Sequence, residues 1–244
     1  MSTMVATAAP TRKRTFKQAL ASESGVKWLY LIPLLVFLCA FMLYPTFYCL
    51  IMSFTDYVLK APPEFAGLEN YRELLQDTAF WQALWRTAYV LVVCISVELI
   101  LGMTFAILLN RDFLGQNIVR GLCFLPLLIS PLAMSLMWNY MLHVQFGVIN
   151  QFFDWVGLGR HEWFSSQTYA LYTIMFISIW QWTPFSIFIL LAGLRGMPKD
   201  QFEAANVDGA GAFFTFRKLT LPMLKPLIII IILLRTMWLI RIFD

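Results

Sequence analysis

The sequence predicts an all-α fold, a polytopic transmembrane helical bundle with five spans, and three observations carry that prediction. First, 60% of the residues are hydrophobic and 13% charged, and the mean hydropathy is +0.70. Such a chain is too apolar and too sparsely charged for a soluble domain. Second, several runs carry no charge, or one, over a length sufficient to cross a bilayer. Third, Lys and Arg collect in alternate connections between those runs, as they do when every second connection faces the cytoplasm.

The spans follow in order. Trp28 to Phe54 contains no charged residue. At about 1.5 Å per residue this run reaches roughly 40 Å, more than the roughly 30 Å of hydrocarbon, so it must tilt or kink, and Pro33 and Pro45 allow either. The second span is Thr87 to Leu109, interrupted only by Glu98; the third is Gly121 to Leu142 and the fourth Thr168 to Leu194, both uncharged. A fifth starts near Leu227, and the chain stops at Asp244, 18 residues into it. The expectation from that ending is a missing further helix or a fragment of a longer reading frame.

Charge sets the orientation. Residues 1–27 form a basic tail with Arg12, Lys13, Arg14, Lys17 and Lys27, whereas the connection from Thr55 to Phe80 sets Lys60 and Arg72 against Asp56, Glu64, Glu69, Glu73 and Asp77. The N-terminus is thus expected in the cytoplasm, with residues 28–244 as the membrane domain. Counting spans puts residues 110–120, with Arg111 and Arg120, and residues 195–226, with Arg195, Lys199, Arg217, Lys218 and Lys225, on the same side. The intervening outer connection holds Arg160 beside Asp154, Glu162, His143 and His161. The net charge of +4 is explained by this asymmetry and implies no nucleic-acid partner. The first apolar run is too long for a signal peptide.

Chemistry-bearing motifs are sparse. Cys39, Cys49, Cys94 and Cys123 lie in or at the edge of apolar spans, without metal-ligand or disulfide spacing. His143 and His161 have no metal-like spacing either. No phosphate-binding glycine loop and no catalytic constellation is visible, so the chain is expected to be no enzyme and to bind no cofactor itself.

One segment is distinctive. Glu203-Ala204-Ala205 is followed after three residues by Gly209, after nine more by Leu219, and then by Leu221-Pro222. Pro198 can open a short helix there, Ala204 and Ala205 permit close approach of a partner surface, and Gly209 supplies the positive-φ turn that ends it. The spacing resembles the EAA loop of ABC importer permeases, with Leu219 where isoleucine is commoner. The resemblance extends along the chain from Trp28 and is similar to the carbohydrate-uptake branch, the maltose and glycerol-phosphate type. It is carried by Tyr44-Pro45, Ser53-Phe54-Thr55-Asp56, Phe65 to Tyr71, Phe80 to Leu84, Arg120, Leu125-Pro126, Gly147 to Asn150, Trp180 to Phe185 and Asp208-Gly209-Ala210.

That resemblance implies an ATP-driven sugar importer in a bacterial inner membrane. A second permease subunit shares the path, two cytoplasmic ATPase subunits bind ATP and Mg, and an external solute-binding protein delivers the sugar. It implies ATPase docking through Glu203, Ala204, Ala205, Asp208, Gly209, Leu221 and Pro222, with Glu203 in a charge-assisted bond to a basic group of the ATPase. It also implies six spans, one more than this sequence shows. A solvated helix acid favoured by the dipole is the plainer reading of Glu203. A polyol or glycerol-phosphate permease, or a non-transporting truncated fragment, stand as alternatives for the whole chain.

Depth gives candidates for the solute path. Glu98 and Gln181 are the midpoints of their expected spans, and Arg235 lies about halfway along the fifth. A lone charge at that depth costs on the order of several kcal/mol, so Glu98 and Arg235 should face the interior and can pair with one another. The pair serves equally as a strut between helices or as a sugar contact. Trp180 and Trp182 flank Gln181; they cannot both line one path, and Trp182 is placed with Glu98, Gln181 and Arg235 as candidate path residues, packing being the equal alternative. Two other classes compete. A secondary transporter should show internal repeats or broken half-helices, and no repeat is visible; a membrane enzyme needs a catalytic cluster, and none is visible.

Overall fold

The computed structural model describes residues 23–57, 64–166 and 168–241, with side chains from residue 27 onward. The basic cluster Arg12 to Lys17, Lys60 and Asp244 lie outside the described residues. The described chain is helical apart from one short two-stranded ribbon. It divides into two compact units, residues 1–81 and 82–244. Four helices are long and apolar enough to cross a membrane, or five when one bent pair counts as a span.

In the first unit, α1 (Glu23–Leu38) and α2 (Tyr44–Met52) are joined by a π-helical turn, π1 (Cys39–Leu43). The run, expected to tilt or kink, stays one helical span, Lys27–Met52, with a π-turn inserted ahead of Pro45. Pro45 has no N–H to offer the carbonyl one turn back, and the backbone shifts to i→i+5 bonding, Tyr44 N–H donating to the Cys39 carbonyl. None of the described side chains of this span is buried, although nearly all are apolar, as expected of a surface solvated by lipid. The ribbon of β1 (Thr55–Asp56) and β2 (Glu64–Phe65) is antiparallel, pairing Thr55 with Phe65. It is tied to α3 (Glu69–Gln76) by Asn70, whose amide donates to the Ser53 and Thr55 carbonyls, both at 3.0 Å.

The next helix, α4 (Thr78–Leu109), begins at Thr78 rather than at the expected Thr87. Arg86 falls inside it, and the start is fixed by Asp77, whose carboxylate accepts the Ala79 N–H at 2.8 Å as an N-cap does. With the longer helix, Glu98 sits past the midpoint instead of at it.

The expected third span, Gly121 to Leu142, is corrected to two helices. α5 (Gln116–Leu128) and α6 (Pro131–Met141) are bent by 96°. Pro131 disfavours the helical region for the residue before it, and Ile129 and Ser130 are extended, with ψ of 128° and 146°. Ser130 then caps α6, its hydroxyl accepting the Ala133 N–H at 3.3 Å, and Pro131 occupies the first turn, where no N–H is needed.

After α7 (Val148–Trp155) comes α8 (Tyr169–Arg195), close to the expected fourth span. The short α9 (Lys199–Val207) leads to α10 (Ala212–Thr215), a second π-turn, π2 (Phe216–Thr220), and α11 (Leu221–Ile240). The last span therefore starts well before the expected Leu227. Here too a proline, Pro222, lies two residues beyond a π-turn, and Leu221 N–H donates to the Phe216 carbonyl. Because the π-turn absorbs the missing donor, the helix runs through a Leu-Pro pair that reads in sequence as a boundary.

Three clusters hold the second unit together. Ala106, Leu109, Ile187, Leu190, Leu224 and Ile231 join α4, α8 and α11. Val90, Cys94, Met175 and Leu239 repeat that combination farther along the helices. Met134, Trp138 and Leu142 form the third around α6. Helices α4 and α8 touch closely at Gly102, where an added Cβ would stand 2.6 Å from the Ser186 Cβ and 3.3 Å from its carbonyl carbon.

Candidate functional site

Three helices of the second unit converge on one buried ion pair. Glu98 of α4 and Arg235 of α11 are both 0% exposed and meet in a bidentate fork. Arg235 Nε donates to Oε2 at 2.6 Å, and Nη2 donates to Oε1 at 2.6 Å. Planar guanidinium and carboxylate match in this geometry, which gives the strongest form of charge-assisted bond. Nη2 also donates to Ser178 Oγ of α8 at 3.2 Å, and the guanidinium lies over the Trp182 ring with Cζ 4.7 Å from its centroid. Nη1 is buried and has no partner among the described residues.

Helical spacing explains the assembly. Ser178, Gln181 and Trp182 fall at i, i+3 and i+4 on α8, so they share a face; Arg235 and Trp238 do the same on α11. The two faces meet, the Trp182 and Trp238 rings standing 4.4 Å apart. Between them and α6 is a cavity of about 430 Å³, lined by Gln181, Trp182, Arg235, Trp238, Trp138 and Asn139 among others. Three expected path residues, Gln181, Trp182 and Arg235, therefore line one space, and Glu98 holds Arg235. Trp180 points to other surroundings: it packs edge-on against Trp138 and lines a separate apolar pocket with Leu122 and Pro126.

The other expected site is at the surface. Helix α9 is closed by two bonds, Ala210 N–H to the Ala205 carbonyl at 2.9 Å and Gly209 N–H to the Asn206 carbonyl at 3.1 Å. This is a Schellman closure, and it requires the left-handed φ of +74° that Gly209 adopts. Pro198 stands just before the helix in extended conformation. Glu203, Ala204 and Asp208 are exposed and Ala205 half-buried; Leu221 and Pro222 are exposed on α11. Beside them Val207 is 87% and Phe213 74% exposed. Behind α9 opens a cleft of about 1030 Å³, lined by Glu203, Phe202, Asn206, Arg195, Asn110 and Asp112 among others. The connection ending α4 is tied to α5: Arg120 Nη2 donates to the Leu109 carbonyl at 2.6 Å and Gln116 to the same oxygen at 3.0 Å, cationic and polar donors meeting a helix C-terminus.

Residues 98–243 match the family described as the inner membrane component of binding-protein-dependent transport systems. This chain belongs to that family. The permease is 32% identical over 225 residues to the trehalose/maltose transport system permease protein MalF of Thermococcus litoralis, covering 91% of this chain and 76% of that one. It is also 32% identical over 218 residues to the sulfoquinovosyl glycerol transport system permease protein SmoG of Agrobacterium fabrum, covering 88% and 71%. Its fold matches a crystallised bacterial ABC transporter involved in import of the acidic polysaccharide alginate, with a TM-score of 0.75, 22% identity, and coverage of 91% of this chain and 75% of that one.

Family membership separates the permease from the secondary transporters. The bent pair α5–α6 shows that a broken helix does not discriminate the two classes. Sequence reasoning passed over several residues. Ser178 and Trp238 were within reach, since they lie at i−3 from Gln181 and i+3 from Arg235. Asn150 was named as the end of a segment that carries the family resemblance, but its role was not within reach: it is fully buried, donates to the carbonyls of Leu142, His143 and His161 at 3.1–3.2 Å, and accepts from His161 N–H and Trp163 Nε1, both at 3.0 Å. Only the tertiary fold brings these partners around it.

Proposed function

We propose that this permease is one transmembrane subunit of an ATP-driven sugar importer of the bacterial inner membrane, with its N-terminus in the cytoplasm. It forms half of the translocation path beside a second permease subunit. ATP and Mg are bound and hydrolysed on two partner ATPases, and an external binding protein delivers the saccharide. The single observation that carries the reading is α9: a short exposed helix, closed by Gly209 at φ +74°, that displays Glu203 next to the bare apolar side chains of Val207 and Phe213. An acid on such a helix suits a basic group of an ATPase groove, and the neighbouring apolar surface suits burial beneath it. The relatives named above, a trehalose/maltose and a sulfoquinovosyl glycerol permease, support a saccharide as the solute.

Docking through α9 couples the ATPases to the spans. Closure of the ATPase pair would swing α9 and, through the short link at Arg195 to Met197, move α8 as a rigid body between inward-open and outward-open arrangements. The test is co-purification and uptake. Glu203→Lys reverses the charge at the contact and is expected to reduce the ATPase recovered with the membrane subunits and to abolish uptake, with insertion unchanged. Unaltered co-purification and uptake would remove the assigned contact.

A further inference from the structure

The central cavity contains an unusual charge balance. Among its described lining residues only Arg235 carries a charge, and that charge is neutralised by Glu98 through two bonds of 2.6 Å. What Arg235 retains is hydrogen-bonding capacity, because Nη1 is buried without a partner while Nε and Nη2 are engaged. A buried donor left unmade is costly, and native structures rarely keep one without a use. The rest of the lining includes indole rings from Trp138, Trp182 and Trp238 and the amides of Asn139 and Gln181, beside hydroxyls and apolar side chains such as Ser135 and Ile177. At about 430 Å³ the space falls within the range of small-molecule sites.

Resting on the saccharide reading above, we infer that this cavity selects uncharged saccharides and rejects acidic ones. As the cavity widens around a solute, Arg235 Nη1, inaccessible in this arrangement, would donate to a hydroxyl or ring oxygen, and indole faces would cover the C–H face of the sugar. A carboxylate or sulfonate on the solute would enter a poorly polar space with no net positive charge to compensate its lost hydration. Glu98 is therefore a specificity-determining residue that acts through Arg235 without touching the solute. By this reasoning the permease differs in solute charge from a transporter of acidic polysaccharide with the same fold.

The experiment uses the importer assembled with its partner subunits in lipid nanodiscs. A panel of neutral di- and trisaccharides, maltose and trehalose included, is titrated in parallel with their uronic-acid counterparts, with binding read by saturation-transfer NMR. Wild type is expected to bind at least one neutral member at least tenfold tighter than its acidic counterpart; equal or tighter binding of the acid overturns the inference. Glu98→Gln uncovers the Arg235 charge and should shift the preference toward the acid at least tenfold, and an unchanged preference overturns the role given to Glu98. Should that single variant fail to assemble, Glu98→Leu with Arg235→Met removes both charges and the free donor. It is expected to assemble and to lose at least tenfold in affinity for the neutral saccharide, and full retention overturns the role given to Nη1. If no saccharide of either kind binds wild type, the sugar-importer reading itself falls and takes this inference with it.

Discussion

The α9 loop and the Glu98–Arg235 pair are both built around a charged residue, yet they are held in opposite ways. Around Gly209 nothing lies within 4 Å of where a Cβ would stand, Glu203 is exposed, and the local structure closes on its own backbone bonds. The pair has no exposure at all and joins helices whose residues are 137 positions apart in the chain. The difference teaches where each site's energy resides. The loop's residues contribute little to the stability of this subunit, so changes there should be felt through a partner; the pair's residues are part of the fold, so changes there should be felt in the isolated subunit.

The largest expected effect comes from breaking the pair. Arg235→Met or Glu98→Leu alone leaves a buried charge without compensation and should cost about 3–5 kcal/mol, while the double replacement should cost much less than either single. A thermal-unfolding double-mutant cycle in detergent measures this, and additive losses would show that the two residues act independently. Next is Asn150→Leu, which strands three carbonyls and two N–H donors around a buried site. Its expected cost is about 1–3 kcal/mol for each group that finds no water, seen as a lower unfolding temperature. Gly102→Val should follow, because the obstructing atoms include Ser186 backbone and cannot rotate away. Overpacking of this kind costs about 1–3 kcal/mol, and a variant with wild-type thermal stability would show that α4 and α8 can separate without loss.

The smallest effect on stability, and the sharpest on the comparison, is expected from Gly209→Val. The Cβ meets no neighbour, so only the left-handed backbone is strained, by about 1–2 kcal/mol. The subunit should still insert with nearly unchanged unfolding temperature, while ATP hydrolysis by the assembled complex proceeds without uptake. A large loss of stability, or wild-type uptake, would each erase the contrast between a locally built loop and a globally built pair.

Features that rest on local or compositional physics were legible in the residues alone. Apolar runs specify helices long enough for a bilayer because no other local structure satisfies the backbone there. Glu203 to Gly209 specifies a short helix with a glycine closure because the left-handed turn needs no partner beyond its own backbone. The cost of a lone charge inside an apolar run placed Glu98 and Arg235 in the interior. The tertiary structure decided the rest. Prolines of similar local appearance had three outcomes: π-turns before Pro45 and Pro222, a 96° bend before Pro131, and continuation of the helix through Pro184. A missing N–H can be absorbed in several ways of similar cost, and packing chooses among them. Likewise, that Arg235 meets Glu98 in a fork beneath Trp182, and that Asn150 gathers carbonyls from Leu142 to His161, depends on which helix faces come together. Neither residue type nor spacing encodes that pairing, because it is set by the fit of whole helix surfaces rather than by any segment alone.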